Sequence, residues 1–311
     1  MAMSVLNVAD IGGTKTSFAQ MEGSRIVWSV EVPTPKVTSL PLFCAWMCEQ
    51  WVELGPLIGP SSPITGLAIS TTGIVGQENV TSLNPQTLDW PNPFPLAQAL
   101  ASLSGLPTWV LNDAQAAAWA EYRAIKQSIP SIHRLMYMTI STGIGAGLVL
   151  DDVLLRSPGG LASHAGHMAM TSKGPRCGCG RSGCLEALSS GKAIQAQIQA
   201  LGLNMTTQDA YEQRHEPSLE KIFKDAAHWV AQAIANVHAL VELDLVVLGG
   251  GLGLQPDFIH WIRQSIQDQP GWSQIQVMPA SCGRQSCLQG AGDWAQAQQA
   301  TAMNAPFFQN T

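Results

Sequence analysis

Three of the chain's seven cysteines crowd into Cys177-Gly178-Cys179-Gly180-Arg181-Ser182-Gly183-Cys184, and His167 lies ten residues before the first of them. Three thiolates and one imidazole make a Cys₃His set suited to tetrahedral zinc. The interleaved glycines permit the tight backbone that three converging thiolates need. Four protein ligands close the coordination sphere, so such a zinc orders the loop and activates no water. Three buried free thiols are the plainer alternative, but they do not explain the spacing. An odd cysteine count with local clustering also argues for reduced thiols over a disulfide framework. Cys44, Cys48, Cys282 and Cys287 lack such company and read as core thiols, and His133, His215, His228, His238 and His260 give no site signal.

A second chemistry is written in glycine. Asp10-Ile11-Gly12-Gly13-Thr14-Lys15 follows an apolar run. Glycines at a strand end let backbone N–H groups approach phosphate oxygens, Thr14 adds a hydroxyl donor, and Asp10 suits magnesium directly or through water. No Walker A loop is present. Thr142-Gly143-Ile144-Gly145-Ala146-Gly147 repeats the arrangement, and Gly249-Gly250-Gly251 follows a third apolar run, where removing side chains leaves a flat slot for adenine or ribose. The first segment alone reads equally as an ordinary turn, and the third alone reads better as one. The first two together favour a polyphosphate gripped from both sides. Asn112-Asp113 is the candidate catalytic pair: transfer of a phosphoryl group to an alcohol needs a carboxylate placed to take the hydroxyl proton. A helix N-terminus would keep Asp113 ionised. By itself the pair reads as a helix cap.

Elements must position these groups. Val5–Ala9 and Thr16–Ala19 read as strands of a glycine-turned hairpin. Leu135–Ile140 and Leu148–Leu150 read as a second hairpin around the turn 141–147, a weak internal repeat pointing to two related lobes. Gly66–Ser70, Thr108–Leu111 and Asp244–Leu248 read as buried strands. Helices are expected over 38–54, 114–126, 185–201, 218–243 and 290–302, and the Pro- and Asn-rich stretch 84–95 reads as a loop. Alternating strands and helices make the class α/β.

Composition removes several functions. The chain has 311 residues, a two-domain length. Its net charge is −6 and only 12% of residues are charged, so the basic stripe of a nucleic-acid binder is not expected. No apolar run approaches the ~20 residues of a membrane span. Met1-Ala2-Met3-Ser4 shows no signal-peptide pattern, so a cytoplasmic protein is expected.

Taken in order, these segments resemble the ROK family of bacterial sugar kinases and sugar-responsive repressors. Asp10 to Lys15 resembles the family's first phosphate motif, Asn112-Asp113 its catalytic pair, and Gly249 to Gly251 its adenosine segment. Gly166-His167 with Cys177 to Cys184 and Leu185-Glu186 resembles its zinc signature. The resemblance implies an actin-like (ribonuclease H-like) two-lobed fold, with ATP in the interlobe cleft and a sugar deeper inside. The lobes expected are 1–111, rejoined by the C-terminal helix and tail over about 290–311, and 112–289. ATP with magnesium would contact Asp10, Gly12, Gly13, Thr14, Lys15, Thr142, Gly143, Gly145, Gly147 and Gly249 to Gly251.

The resemblance further implies that Asp113 removes the proton of a sugar C6 hydroxyl. Asn112, Glu186, His164, His167, Gly73 and Asn84 would hold that sugar. Most of the family's glucose kinases carry Glu-x-Gly-His before the zinc site, whereas this chain has His164-Ala165-Gly166-His167. Together with Leu83-Asn84-Pro85 and Pro158-Gly159-Gly160, that His implies N-acetylmannosamine as the sugar, in sialic acid breakdown, with N-acetylglucosamine and glucose as rivals. A non-catalytic sugar sensor is the rival of another class. The family's repressors carry an N-terminal helix-turn-helix of several dozen residues, and Asp10 stands too near the start for one. A homodimer is expected.

Overall fold

The computed structural model describes residues 4–36, 39–54, 63–82 and 93–304, with side chains described to Thr301. The chain divides into two compact units, Met1–Ala120 with Arg156–Leu161 and Arg284–Thr311, and Glu121–Leu155 with Ala162–Gly283.

The first unit is built on strands β1 (Val5–Ile11), β2 (Lys15–Glu22), β3 (Arg25–Pro33), β4 (Ile64–Thr71) and β7 (Thr108–Asn112), in the order β3-β2-β1-β4-β7. β3-β2-β1 is an antiparallel meander, and β1, β4 and β7 run parallel. A parallel strand is covered on both faces and so reads as a continuous apolar run. In β1, Ala9 and Ile11 enter a core with Phe43, Met47 and Trp51 of α1 (Leu40–Leu54) and with Leu96 and Leu100 of α2 (Leu96–Ser104). Val8 points the other way, against Gly292 of α9 (Ser286–Asn304), which packs on β1, β4 and β7. Each fully buried side chain of this size contributes roughly 1.5–3 kcal/mol. A small hairpin, β5 (Ile74–Val75) and β6 (Val80–Thr81), follows β4.

The second unit repeats the plan. Strands β8 (Leu135–Ile140), β9 (Ile144–Leu150), β10 (Val153–Leu154), β11 (Leu245–Gly249) and β12 (Val277–Pro279) are ordered β10-β9-β8-β11-β12, again three antiparallel strands followed by two parallel additions. Helices α3 (Asp113–Ser128), α4 (Leu185–Ser189), α5 (Gly191–Ala200), α6 (Thr207–Glu212), α7 (Pro217–Val241) and α8 (Pro256–Gln267) complete the described helices. α7 buries Phe223, Val230 and Ile234 with Phe258 and Ile262 of α8. The faint repeat of two glycine-turned hairpins thus reflects two sheets of one topology.

Several expectations shift. The boundary of the first unit falls after Ala120, not after 111. The first half of α3 is bound to α9, where a Cβ on Gly290 would meet the Ala116 carbonyl at 1.8 Å. The Glu121 carboxylate, by contrast, accepts from the Ser281 and Cys282 N–H groups of the second unit at 2.7–3.0 Å. The first unit also takes back Arg156–Leu161, and the returning helix starts at Ser286. The turn of the second hairpin is only 141–143, because β9 begins at Ile144 and pairs Gly145 with Thr139 and Gly147 with Tyr137. The expected helix 185–201 breaks at Ser190, whose side chain caps α5 by accepting from Ala193 N. The loop expected over 84–95 lies outside the described residues up to 92.

Candidate active site

In the first unit, parallel pairing sets the polar residues side by side. Asp10 on β1 is in register with Ser70 on β4, and Thr71 with Asn112 on β7, so the carboxyl ends of three strands converge. Open α/β sheets bind ligands at this end. Asn112 Oδ1 accepts from Ala114 N at 3.0 Å and Gln115 N at 3.3 Å, capping α3, while its Nδ2 donates to the Gly73 carbonyl at 3.0 Å. The amide thus fixes both the helix start and the Gly73 turn, and one N–H remains for a ligand. Asp113 Oδ1 accepts from Ala114 N at 2.7 Å. The carboxylate thus stands at the positive end of the helix dipole.

The Asp10 carboxyl behaves differently. Burial pushes it up to about 7, with the Asp113 charge adding to the effect and a Ser70 hydrogen bond opposing it. Two neighbouring carboxyls, each part-buried, suit a cation, which is the fit expected of magnesium. Cys287, which sequence reading placed among core thiols, is part of this cluster. Its Sγ donates to the Asp113 carbonyl at 3.5 Å, and burial, Asp10 and Asp113 hold its pKa far above the ordinary value. Neither Ser70 nor Cys287 had a local signal, because each reaches the cluster through pairing or packing distant in sequence.

The turn after β1 is tied down from both sides. Gly12 N donates to the Lys15 carbonyl at 3.0 Å, and a Cβ at Gly12 would meet that oxygen at 2.8 Å. Thr34 Oγ1 donates to the Gly12 carbonyl at 2.8 Å. Gly13 and Thr14 are left exposed, and the Lys15 ammonium pairs with Glu31 at 2.5 Å.

In the second unit, Ser141–Gly143 is stitched to the helix pair behind it: Gly191 N donates to the Ser141 carbonyl at 2.7 Å and Lys192 N to the Thr142 carbonyl at 3.2 Å. Glu186 Oε2 accepts from Ile144 N at 3.0 Å, and a Cβ on Gly143 would lie 2.6 Å from that oxygen. Of the third glycine segment, Gly249 is required by the Tyr137 side chain and Gly250 by its φ of +83° and the Ile140 carbonyl. Gly251 alone opens onto empty space.

The metal-ligand set is assembled around this turn. The ligand atoms of His167, Cys177, Cys179 and Cys184 all lie within 4.8 Å of one another. Cys179 and Cys184 Sγ are 3.7 Å apart, and Cys177 Sγ is 3.6 Å from His167 Nδ1. A tetrahedron with zinc–sulfur bonds of about 2.3 Å and a zinc–nitrogen bond of about 2.0 Å has edges of roughly 3.8 and 3.5 Å. The donor set therefore fits zinc in both chemistry and size. Burial raises the Cys177 thiol to about 12 and lowers His167 below its ordinary value, so the imidazole is neutral as a ligand must be and the thiol needs a cation to ionise. The loop closes on Gly183, with φ +70° and no room for a Cβ beside the Thr171 carbonyl.

Gly166 rests on β9, where a Cβ would meet the Ile144 carbonyl at 2.1 Å, and this contact carries His167 to its place. The His164 ring lies 6.4 Å from that of His167 at an interplanar angle of 17°. Cys177 Sγ is 3.9 Å from Glu186 Oε1, so Glu186 touches both the metal-ligand set and the 141–143 turn. Asn84 lies outside the described residues.

A family model described as ROK family matches residues 8–298. The chain belongs to the ROK family. It is 39% identical over 284 residues to an N-acetylmannosamine kinase of Vibrio cholerae serotype O1, covering 91% of this chain and 96% of that one. An N-acetylmannosamine kinase of Salmonella typhi is 36% identical over 92% of this chain and 97% of its own. The ROK hexokinase of Thermus thermophilus superposes with a TM-score of 0.79 at 28% identity, covering 95% of this chain and 99% of that one. The architecture is thus that of the ROK sugar kinases, the two-lobed α/β fold expected from sequence. Among the described residues no helix is long and apolar enough to cross a membrane.

Proposed function

We propose that this ROK-family chain transfers the γ-phosphoryl group of ATP to the C6 hydroxyl of N-acetyl-D-mannosamine, a step of sialic acid breakdown. The observation that carries the substrate is identity of 36–39% over nine-tenths of the chain to relatives named for that reaction. The geometry supports the chemistry independently. Asp113, at the start of α3, accepts the C6 proton as the oxygen attacks phosphorus, a contribution of roughly 10²–10⁴-fold. Asn112 holds the Gly73 turn with one amide proton and offers the other to the sugar.

Asp10 is the magnesium-side carboxylate, and magnesium, when bound, neutralises charge on the transferred phosphoryl group. Gly13 and Thr14, exposed on a fixed turn, offer backbone and hydroxyl donors to phosphate, and Thr142 and Gly143 do the same on the second hairpin. Gly145 and Gly147, engaged in β9 pairing, shape that hairpin. Gly251 gives the nucleoside a flat wall. Zinc would be held by His167 Nδ1 and the three thiolates as a closed structural centre, leaving His167 Nε2 for a sugar hydroxyl. Glu186 and His164 stand on the segments this centre orders, and His164 is the marker for the acetamido sugar. We place the protein in the cytoplasm, acting as a homodimer without nucleic acid or membrane partners.

The deciding experiment is an ADP-coupled assay with magnesium-ATP against N-acetylmannosamine, N-acetylglucosamine, glucose and fructose in parallel. Highest kcat/KM for N-acetylmannosamine is expected. A preference for another sugar removes the substrate assignment but keeps the kinase, and silence on all four with folded, zinc-loaded protein removes the kinase.

A further inference from the structure

Described residues of the first unit line a half-open cavity of about 130 Å³ that the phosphoryl-transfer reading does not use. Val75 and Val80 of the β5–β6 hairpin, Val110 of β7, and the side chains of Arg156 and Trp294 line it. It reaches the start of β7, Thr108 to Val110, whereas Asp113 follows that strand's far end. None of Asp10, Asn112 and Asp113 lines it, so the cavity and the proton acceptor are separate places.

The chemistry of the cavity is set by one half-buried cation. The guanidinium carbon of Arg156 lies 4.5 Å from the Trp294 ring centroid, so one face is covered by indole. Its Nε is buried with no hydrogen-bond partner among the described residues. Burial lowers its pKa, and no neighbouring carboxylate offsets that effect. Glu78, which also lines the cavity, is exposed and makes no ion pair with it. A buried polar group without a partner is uncommon in a native fold and calls for an occupant. The free edge of a guanidinium stacked on an aromatic ring is a planar fork of donors, and its complement is a carboxylate bound through two parallel hydrogen bonds.

Volume limits the rest of the ligand. A closed cavity of about 150 Å³ holds benzene, six non-hydrogen atoms, so this half-open one takes in about five or six. Val75, Val80, Val110 and Ala97 give it an apolar side, and Gln77, Glu78, Asn79 and Thr108 a polar one. We propose that this cavity is a binding site for a small aliphatic monocarboxylate of three or four carbons, its carboxylate on Arg156 and its chain against Val75, Val80 and Val110. The occupant braces two segments already joined. Gln77 N donates to the Pro158 carbonyl at 3.0 Å, and Gly160, with φ +80°, lets its backbone approach that of Val75, where a Cβ would come within 2.5 Å.

Calorimetric titration of the full chain with butyrate, with its neutral isostere butyramide, and with inorganic phosphate tests the site without reference to catalysis. Butyrate should bind saturably with a Kd of order 1 mM. Butyramide should not bind, and Arg156→Gln should weaken butyrate at least about tenfold through loss of the charge-assisted pair. In the wild-type chain, butyrate should also slow amide hydrogen exchange over residues 74–81, a readout that needs no variant. No saturation by butyrate, equal binding of butyramide, unchanged affinity in Arg156→Gln, or unaltered exchange over 74–81 would each overturn the proposal. Saturable binding of phosphate but not butyrate would overturn the carboxylate assignment.

Discussion

Gly166 offers the sharpest test of how the proposed metal centre reaches the rest of the site. It precedes His167, and a Cβ there would stand 2.1 Å from the Ile144 carbonyl oxygen, where ordinary contact begins at 3.4 Å. The obstacle is backbone of a paired strand, so the lighter segment must move, by about 1.3 Å if the contact is relieved along its own line. His167 moves with it, and a displacement of that size exceeds half of a roughly 2.0 Å zinc–nitrogen bond. A misplacement of ~1 Å at a positioning residue costs about 10²-fold in rate. Gly166→Ala is therefore expected to lower kcat/KM about a hundredfold and to reduce bound zinc after dialysis, with unchanged far-ultraviolet circular dichroism. Gly178→Ala is the control. It lies between two of the thiol ligands, yet a Cβ there meets nothing within 4 Å, so zinc content and turnover should stay within about threefold of wild type. Metal content by mass spectrometry and coupled kinetics on both variants decide the matter. Retained zinc and near-normal turnover in Gly166→Ala, or equal damage from Gly178→Ala, would refute the close-approach argument.

Asp113→Asn should lower kcat by at least about 10²-fold with sugar affinity by calorimetry nearly unchanged, because the amide preserves shape but takes no proton; surviving turnover removes Asp113 as the base. Cys179→Ser should lose zinc and melt at lower temperature, while full occupancy in that variant would break the ligand set. His164→Glu should shift the ratio of kcat/KM from N-acetylmannosamine towards glucose, and an unchanged ratio would demote His164 as the specificity marker. The Asp10 carboxyl stands at about 7 in the folded chain against an ordinary 3.8. The folded state thus holds a proton that the unfolded state has lost, and the associated stability is present below about 3.8 and lost as pH rises through about 7. In metal-free buffer, urea unfolding should show this decline across the window, and Asp10→Asn should flatten it. An identical slope in the variant would reassign the shift.

Much of the fold was legible because several elements carry their own signal. Val5–Ile11, Ile64–Thr71 and Leu245–Gly249 are largely buried and so read as mainly apolar runs, and the Ala-rich α3 follows a capping Asn. Other elements carried none that stood out. β3 (Arg25–Pro33) is an exposed edge of mixed polarity, β12 has three residues, and α2 starts directly after a Pro-rich stretch that read as loop. The second hairpin was recognised but its turn was drawn too long. Gly145 and Gly147 look like turn residues in isolation, and only pairing with Thr139 and Tyr137 makes them strand.

The sequence by itself marked the Cys₃His cluster, the family and the Asn112-Asp113 pair proposed for catalysis, because each is held within a few residues of chain: a Cys-x-Cys-x4-Cys loop, a strand ending in Asp and glycine, an Asn-Asp at a helix start. Tertiary structure alone decided which groups those motifs would meet. Parallel pairing of β1, β4 and β7 set Asp10 beside Ser70 and within electrostatic reach of Asp113, and the return of α9 brought Cys287 to the same cluster. Packing of α4 against β9 gave Glu186 the Ile144 amide, and the chain's return through Arg156 set a half-buried guanidinium over Trp294. Such partners lie tens to hundreds of residues apart, and local spacing carries no record of contacts that only the closed core enforces.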